Sequence, residues 1–380
     1  MLRRRRIRRD RIINQSRRIV VKVGGSLLVG EGEPDLSFIQ ELVDSVVDLI
    51  RDKKEVVIVS SGAIALGKRE LGVADKMEDP GAIPSKQALA SIGQTKLIDL
   101  YSIFFKKYNL HVGQILLSAQ DLSQRLTYLN ARNTILTLLK IGAVPVVNEN
   151  DTVAVEEIKF GDNDTLSALV AGLVNADLLI IISDVEGFYT HDPKENPEAK
   201  LIFSVENIDE EVEKMADGSC AEGRVGGMKT KIEAAKIATH SGIHVIIGGG
   251  KDFLRALFRG EEVGTLFFSS KNKLQARKKW IAYGSRIKGK IVVDEGAKKA
   301  LLYQGKSLLP VGIIKIMGEF YPGDPVSLLD SKGKEFARGI TYYSSKELER
   351  IKGAHTREIE KRLGYKYYDE AVHRDNLVVL

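Results

Sequence analysis

The 380-residue sequence predicts an α/β protein: a three-layer, mostly parallel sheet followed by a small β-barrel-like domain. Through about residue 250, short fully apolar runs alternate with segments of helical periodicity, the pattern of parallel strands covered on both faces. After Ser269 the pattern changes to short strands roughly ten residues apart, bounded by Gly, Asp and Pro. Hydrophobic residues make up 43% and charged residues 28%, the composition of a globular protein. No uninterrupted run of 18 apolar residues is present, so no membrane span is expected.

Taken in order, Ile19 to Val23 reads as a β-branched strand ending in Gly24-Gly25. Asp35 to Arg51 places Phe38, Leu42, Val46 and Leu49 on one helical face. Glu55 to Ser60 is a second buried strand, and Ser61 opens another helix. Ser85 to Lys107 is a long helix, Leu110 to Leu117 a strand, Leu126 to Ile141 a helix and Ala143 to Val147 a strand. Leu166 to Val174 is helical, Leu178 to Ile182 a strand, Gly227 to Ser241 a helix and Ile243 to Ile247 a strand. The later strands are Gly289 to Val293, Gly312 to Met317, Pro325 to Leu329 and Phe336 to Ile340, with a turn at Tyr321 to Asp324.

The formal charge of +6 averages opposing regions. Residues 1–18 hold nine Arg against one Asp, and residues 276–380 hold 21 Lys and Arg against 13 Asp and Glu, so the intervening body is acidic. Opposite signs imply different partners. The Arg-rich start has no apolar face, reads as a disordered tail, and lacks the apolar core of a secretory signal. Cys220 is the only cysteine, which excludes a disulfide framework and a Cys-based zinc site and fits a reducing, cytoplasmic setting. The six histidines form no HExxH pattern.

Two clusters carry the chemistry: Asn148-Glu149-Asn150-Asp151 and Gly161-Asp162-Asn163-Asp164. The first ends an apparent buried strand and the second opens a helix. Either alone fits an Asx-rich turn capping a helix. Together, at the carboxyl end of a parallel strand, they face the crevice where such sheets bind ligands. Amides and carboxylates there offer acceptors to an ammonium and donors to a carboxylate, which points to a small zwitterion such as an amino acid.

Two glycine loops suit phosphate. Lys22-Val23-Gly24-Gly25-Ser26 ends the first strand, and Val225-Gly226-Gly227-Met228-Lys229-Thr230-Lys231 enters a helix. Gly62 to Lys68 matches GxxxxGK, but Arg69 stands where Ser or Thr should hold magnesium and the interior is helix-forming, so a P-loop is rejected. Ser60-Ser61-Gly62-Ala63 instead offers hydroxyls and N–H groups at a helix start.

KVGGS at Lys22, VSSGAIALG at Val59, NENDTVAVEEIKFGDND at Asn148, SDVEGFYTHDP at Ser183 and GGMKTK at Gly226 stand in the order seen in the amino-acid kinase family. The set resembles its glutamate-phosphorylating branch in particular. The later VDEGAKKALLYQGKSLLPVGI and GYKYYDEAVHRD resemble a PUA domain. The resemblance implies an amino-acid kinase fold over residues 19–275, a linker at 276–288, a PUA domain at 289–368 and a C-terminal tail at 369–380.

It also implies ATP-dependent phosphorylation of the L-glutamate γ-carboxylate, the first step of proline synthesis. Ser61, Asp151 and Asn163 would hold glutamate, with Asn148 and Asp162 nearby. Asp151 is assigned to the ammonium end and Asn163 to the end that receives the phosphoryl group. Lys22, Gly24, Ser183, Asp184 and Val225, Gly226, Gly227, Met228, Lys229, Thr230 and Lys231 would meet ATP. Lys22 and Lys231 would be catalytic, with Asp164 orienting them. Mg²⁺ would ride on the ATP phosphates with no direct protein ligand. Feedback by L-proline and a homo-oligomer, dimer or tetramer, are further implications. The competing readings are a kinase of aspartate or N-acetylglutamate, and RNA binding through the basic C-terminal domain.

Overall fold

The computed structural model describes residues 2–30, 33–72, 82–118, 121–122, 124–153, 163–193, 196–217, 227–269, 287–366 and 368–380. The chain divides into two compact units, Met1–Ser270 and Lys271–Leu380. That division precedes the boundary expected at 275, and the expected linker lies almost wholly outside the described residues.

Unit 1 is built on eight strands. They are β1 (Arg18–Val23), β2 (Glu55–Ser60), β3 (Val112–Leu117), β4 (Val144–Glu149), β5 (Leu178–Ile182), β6 (Ser204–Val205), β7 (His244–Gly248) and β8 (Thr265–Phe267). Their order is β3-β4-β2-β1-β5-β7-β8-β6, parallel except for the β7–β8 pair. The chain leaves β1 toward β2 on one side and returns to β5 on the other. This is a topological switch point, where open α/β sheets bind ligands at the strands' carboxyl ends.

Among the described residues the helices longer than one turn are α1 (Leu2–Gln15), α2 (Leu36–Arg51), α3 (Ala63–Leu71), α4 (Ile83–Lys106), α5 (Arg125–Lys140), α6 (Asn163–Leu173), α7 (Glu210–Asp217), α8 (Met228–His240) and α9 (Phe253–Phe258). Alternation along β1 sorts them into two layers. Ile19, Val21 and Val23 share a core with Leu42 and Val46 of α2, Leu97 and Phe105 of α4, and Leu257 of α9. Val20 joins the opposite core, with Val170 of α6 and Ala234 and Ala235 of α8. Lys22 has the parity of Val20 and therefore points toward the α6/α8 layer. Asp35 caps α2 by accepting from the Phe38 N–H at 2.9 Å. Ala63 to Lys68 lies in α3, with Gly62 as its N-cap, and is helical as its residues predict.

Residues 1–18 do not form the expected disordered tail. They supply α1 and the first residue of β1, because the Arg-rich segment is tied down by specific partners. Arg9 is buried, and its guanidinium donates to the carbonyls of Phe203 and Gly264, each at 3.2 Å, and of Val263. Burial lowers its pKa, offset in part by Glu262 and Asp10. Arg8 pairs with Glu206 at 3.0 Å and lies 4.0 Å over the Phe268 ring, while Ile13 enters the core.

Unit 2 holds a five-stranded sheet of β9 (Gly289–Val293), β10 (Ile313–Met317), β11 (Pro325–Leu329), β12 (Glu335–Ile340) and β13 (Leu377–Val379), ordered β10-β9-β11-β12-β13. Only β9 and β11 pair in parallel. The expected C-terminal tail is a correction: Leu377–Val379 hydrogen-bonds to β12, and Leu377 is buried in the unit's core. Three helices accompany the sheet: α10 (Glu295–Tyr303), capped by Asp294, α11 (Ser345–Ile351), opened by a Ser344/Glu347 capping box, and α12 (Ile359–Leu363). Among the described residues no helix is long and apolar enough to cross a membrane.

Candidate functional site

The carboxyl ends of β4, β2, β1 and β5 deliver Asn148, Ser61, Lys22 and Ser183 to one rim of the sheet. Helices α3, α6 and α8 begin at the same rim, so their first turns add backbone N–H groups and the positive ends of their dipoles.

Asp164, in the first turn of α6, is fully buried. One carboxylate oxygen pairs with Lys22 of β1. The other receives the Lys231 ammonium at 3.3 Å and the Thr230 hydroxyl at 3.0 Å, both from the first turn of α8. Lys22 and Lys231 are themselves buried. Burying charges costs several kcal/mol per ion before their attraction is counted. Here two ammonium groups meet one carboxylate in a cluster beside helix N-termini. Its chemical capacity is to hold an anion and stabilise negative charge that develops on it.

A second network adjoins it. The Asn163 side-chain N–H₂ donates to Ser61 Oγ at 2.7 Å, Asn148 Oδ1 at 2.9 Å and the Ser60 carbonyl at 3.3 Å. Asn148 Oδ1 also accepts from the Glu149 backbone N–H at 2.9 Å, and its Nδ2 donates to Gln94 Oε1 at 2.8 Å. Asn163 Oδ1 is buried and has no hydrogen-bond partner among the described residues. Ser60 Oγ meets the Tyr101 hydroxyl at 3.0 Å, and burial pushes that phenol well above its ordinary pKa, with the Ser60 bond opposing.

Gln94 and Tyr101 both come from α4, which lies hard against α3. A Cβ added at Gly93 would stand 1.8 Å from the Ala63 carbonyl, so only glycine permits this approach. On the β5 side, Ser183 is buried, donates from Oγ to Asp184 at 3.0 Å, and accepts no Cβ from Gly249, which would lie 1.8 Å from the Ser183 carbonyl.

Of the residues expected from the sequence, Lys22, Asp164, Thr230 and Lys231 form one cluster, and Ser61, Asn148 and Asn163 form the adjoining network. Asp151 lies in the turn after β4, Gly24 follows β1, Gly227 caps α8, and Met228 and Lys229 fall in its first turn. Asp162, Val225 and Gly226 lie outside the described residues. Gln94 and Tyr101 are participants that the motifs did not expose. Their signal is a polar side chain and a phenol on the apolar stripe of α4, beside Leu89, Leu97 and Phe105.

The fold and the site define a class: the chain belongs to the amino acid kinase family, which it matches over residues 17–249, and it matches the PUA domain family over residues 289–363. Over nearly its full length it is also similar to glutamate 5-kinases. That of Caldanaerobacter subterraneus subsp. tengcongensis is 50% identical over 366 residues, 96% of this chain and 98% of the relative. That of Syntrophotalea carbinolica is 50% identical over 375 residues, 98% and 100% of the two chains. Among solved structures, carbamate kinase from Giardia lamblia bound to AMP-PNP aligns with a TM-score of 0.49 at 15% identity, covering 67% of this chain and 99% of that one.

Proposed function

We propose that the protein transfers the γ-phosphoryl group of ATP to the γ-carboxylate of L-glutamate, giving γ-glutamyl 5-phosphate, the first step of proline synthesis. The observation that carries the reading is the buried Lys22–Asp164–Lys231 cluster at the switch point of the sheet. Its relatives named glutamate 5-kinase support the choice of acceptor.

The chemistry agrees with the residues present. A glutamate side chain has an ordinary pKa near 4.3, so the acceptor is ionised at neutral pH and needs no general base. The obstacle is bringing this anion to a polyanionic phosphate and stabilising charge on the phosphoryl oxygens. Catalysis is then mainly positioning and electrostatics. Lys22, Lys231 and the first turn of α8 hold the transferring phosphoryl group, and Asp164 keeps both ammonium groups in place.

Ser61, Asp151 and Asn163, with Asn148 and Asp162 beside them, bind glutamate. Because Ser61 Oγ accepts from Asn163, its own proton is left to donate to a substrate carboxylate. Gly24, Ser183, Asp184 and residues 225–231 surround ATP. The ammonium groups of Lys22 and Lys231 suit a nucleotide that brings its own Mg²⁺. That ion, when bound, neutralises part of the phosphate charge. A cytoplasmic homo-oligomer, dimer or tetramer, with L-proline as inhibitor belongs to the same reading.

The test is ADP release with glutamate, aspartate and N-acetylglutamate as acceptors. Glutamate alone should support turnover at low millimolar concentration or below, the common range for small substrates (about 1 μM–1 mM). Release with N-acetylglutamate or aspartate but not glutamate overturns the assignment.

A further inference from the structure

The amides of the second network have only one consistent orientation. The Glu149 backbone N–H can only donate, so the atom of Asn148 that it meets must be Oδ1. Asn148 therefore turns Nδ2 toward Gln94, which must present its oxygen. Asn163 must turn Nδ2 toward Asn148 Oδ1, and the Ser60 carbonyl, an acceptor only, demands the same. Both Asn163 amide hydrogens are thus engaged by three protein oxygens.

No N–H remains on Asn163 for a substrate carboxylate, which departs from the phosphoryl-end role expected from the sequence. What remains is Oδ1, a buried acceptor without a partner among the described residues. An unsatisfied buried carbonyl is costly (about 1–3 kcal/mol), and a donor-rich ligand removes the cost. An α-ammonium has three N–H groups, enough to serve Asn163 and Asp151 together.

We propose that Gln94 is a positioning residue: by anchoring Asn148 Nδ2 it holds Asn148 Oδ1 against Asn163, steadying the Asn163 amide with Oδ1 toward the substrate's α-ammonium and thereby strengthening the preference for a free amino acid. Gln94 touches no substrate. It is buried on α4, whose Gly93 contact with Ala63 fixes its distance from the site. The proposal rests on the reading of this pocket as the glutamate site.

Two variants and a substrate lacking the ammonium test it. Gln94→Leu removes the acceptor that anchors Asn148 Nδ2; Gln94→Glu keeps an acceptor oxygen. Glutarate has both carboxylates of glutamate and no amino group. In Gln94→Leu the glutamate KM should rise about tenfold or more, the effect of losing a hydrogen bond to a charged group, while the glutarate inhibition constant and the ATP KM stay put. Gln94→Glu should recover most of the glutamate affinity.

A parallel loss for glutamate and glutarate would mean general damage to the pocket and overturns the proposal, as would a glutamate KM unchanged in Gln94→Leu. Failure of the unmodified chain to turn over glutamate is a separate outcome, which overturns the assigned substrate.

Discussion

Each unit contains a lysine–aspartate pair, and the two have opposite meanings. In unit 2, Lys298 of α10 donates to Asp330 at 2.8 Å, and Asp330 also accepts from the backbone N–H groups of Lys332 and Lys334. It organises the turn between β11 and β12. The Lys298 side chain keeps 24% of its surface exposed, whereas Lys22 and Lys231 keep 4% and 9%. The Lys298 charge stays partly hydrated and its pairing is local architecture. In unit 1 two ammonium groups are withdrawn from water around one carboxylate, an arrangement that hydrophobic residues would replace at no loss of stability. Buried charges at the sheet's switch point are retained for what they do to a ligand.

The largest expected effect comes from Asp164→Asn. It removes the buried carboxylate that both lysines contact, so the chain should lose about 3–5 kcal/mol of stability along with its activity. Denaturant unfolding followed by tryptophan-independent far-UV dichroism measures it. A midpoint equal to that of the unmodified chain would erase the contrast between the two pairs.

Lys231→Ala comes next. Its kcat should fall roughly 10²–10³-fold, by analogy with removal of one oxyanion donor, with little change in glutamate KM. A near-normal kcat would place the charge of Lys231 outside the reaction.

The smallest effect is expected in unit 2. Hydrogen bonds from Lys298 and then from the Lys334 N–H hold the Asp330 carboxyl below the usual carboxylate range. A depressed carboxyl pKa contributes stability above its unfolded value, about 3.9, and loses it as pH falls through the folded value. Amides of β11 and β12 should therefore lose protection, relative to intrinsic exchange rates, as pH drops below about 4. In Asp330→Asn that acid dependence should flatten while kinase activity is kept. A variant with the full acid response would assign it to other groups, with Glu335 the next candidate, since Arg338 foremost and Ser327 lower its pKa.

The central architecture was legible in the sequence because β1, β2, β4 and β5 are buried on both faces and read as apolar runs. Lys22, a charge inside the buried run that follows Arg18, stands out for the same reason. The Asn-Asp clusters and glycine loops were legible through their chemistry, and Asp164 was already assigned to the lysines that it contacts. Gln94 was not. A single amide within the helical periodicity of α4 looks like any polar residue until Asn148 is seen 54 positions away in sequence.

The Arg-rich start misled because charge predicts solvation, and the carbonyls that Arg9 satisfies lie far along the chain. Strands β6 and β8, at two and three residues, carry too little alternation to detect. Strand β13 was read as a tail because its pairing with β12 is a tertiary event.

The docking of α1 has a consequence for the order of events during synthesis. Arg9 can reach its carbonyl partners only after Phe203, Val263 and Gly264 have left the ribosome. Helix α1 thus completes these contacts only after most of unit 1 has been made. Its anchoring reports that the β6 and β8 edge of the sheet has formed.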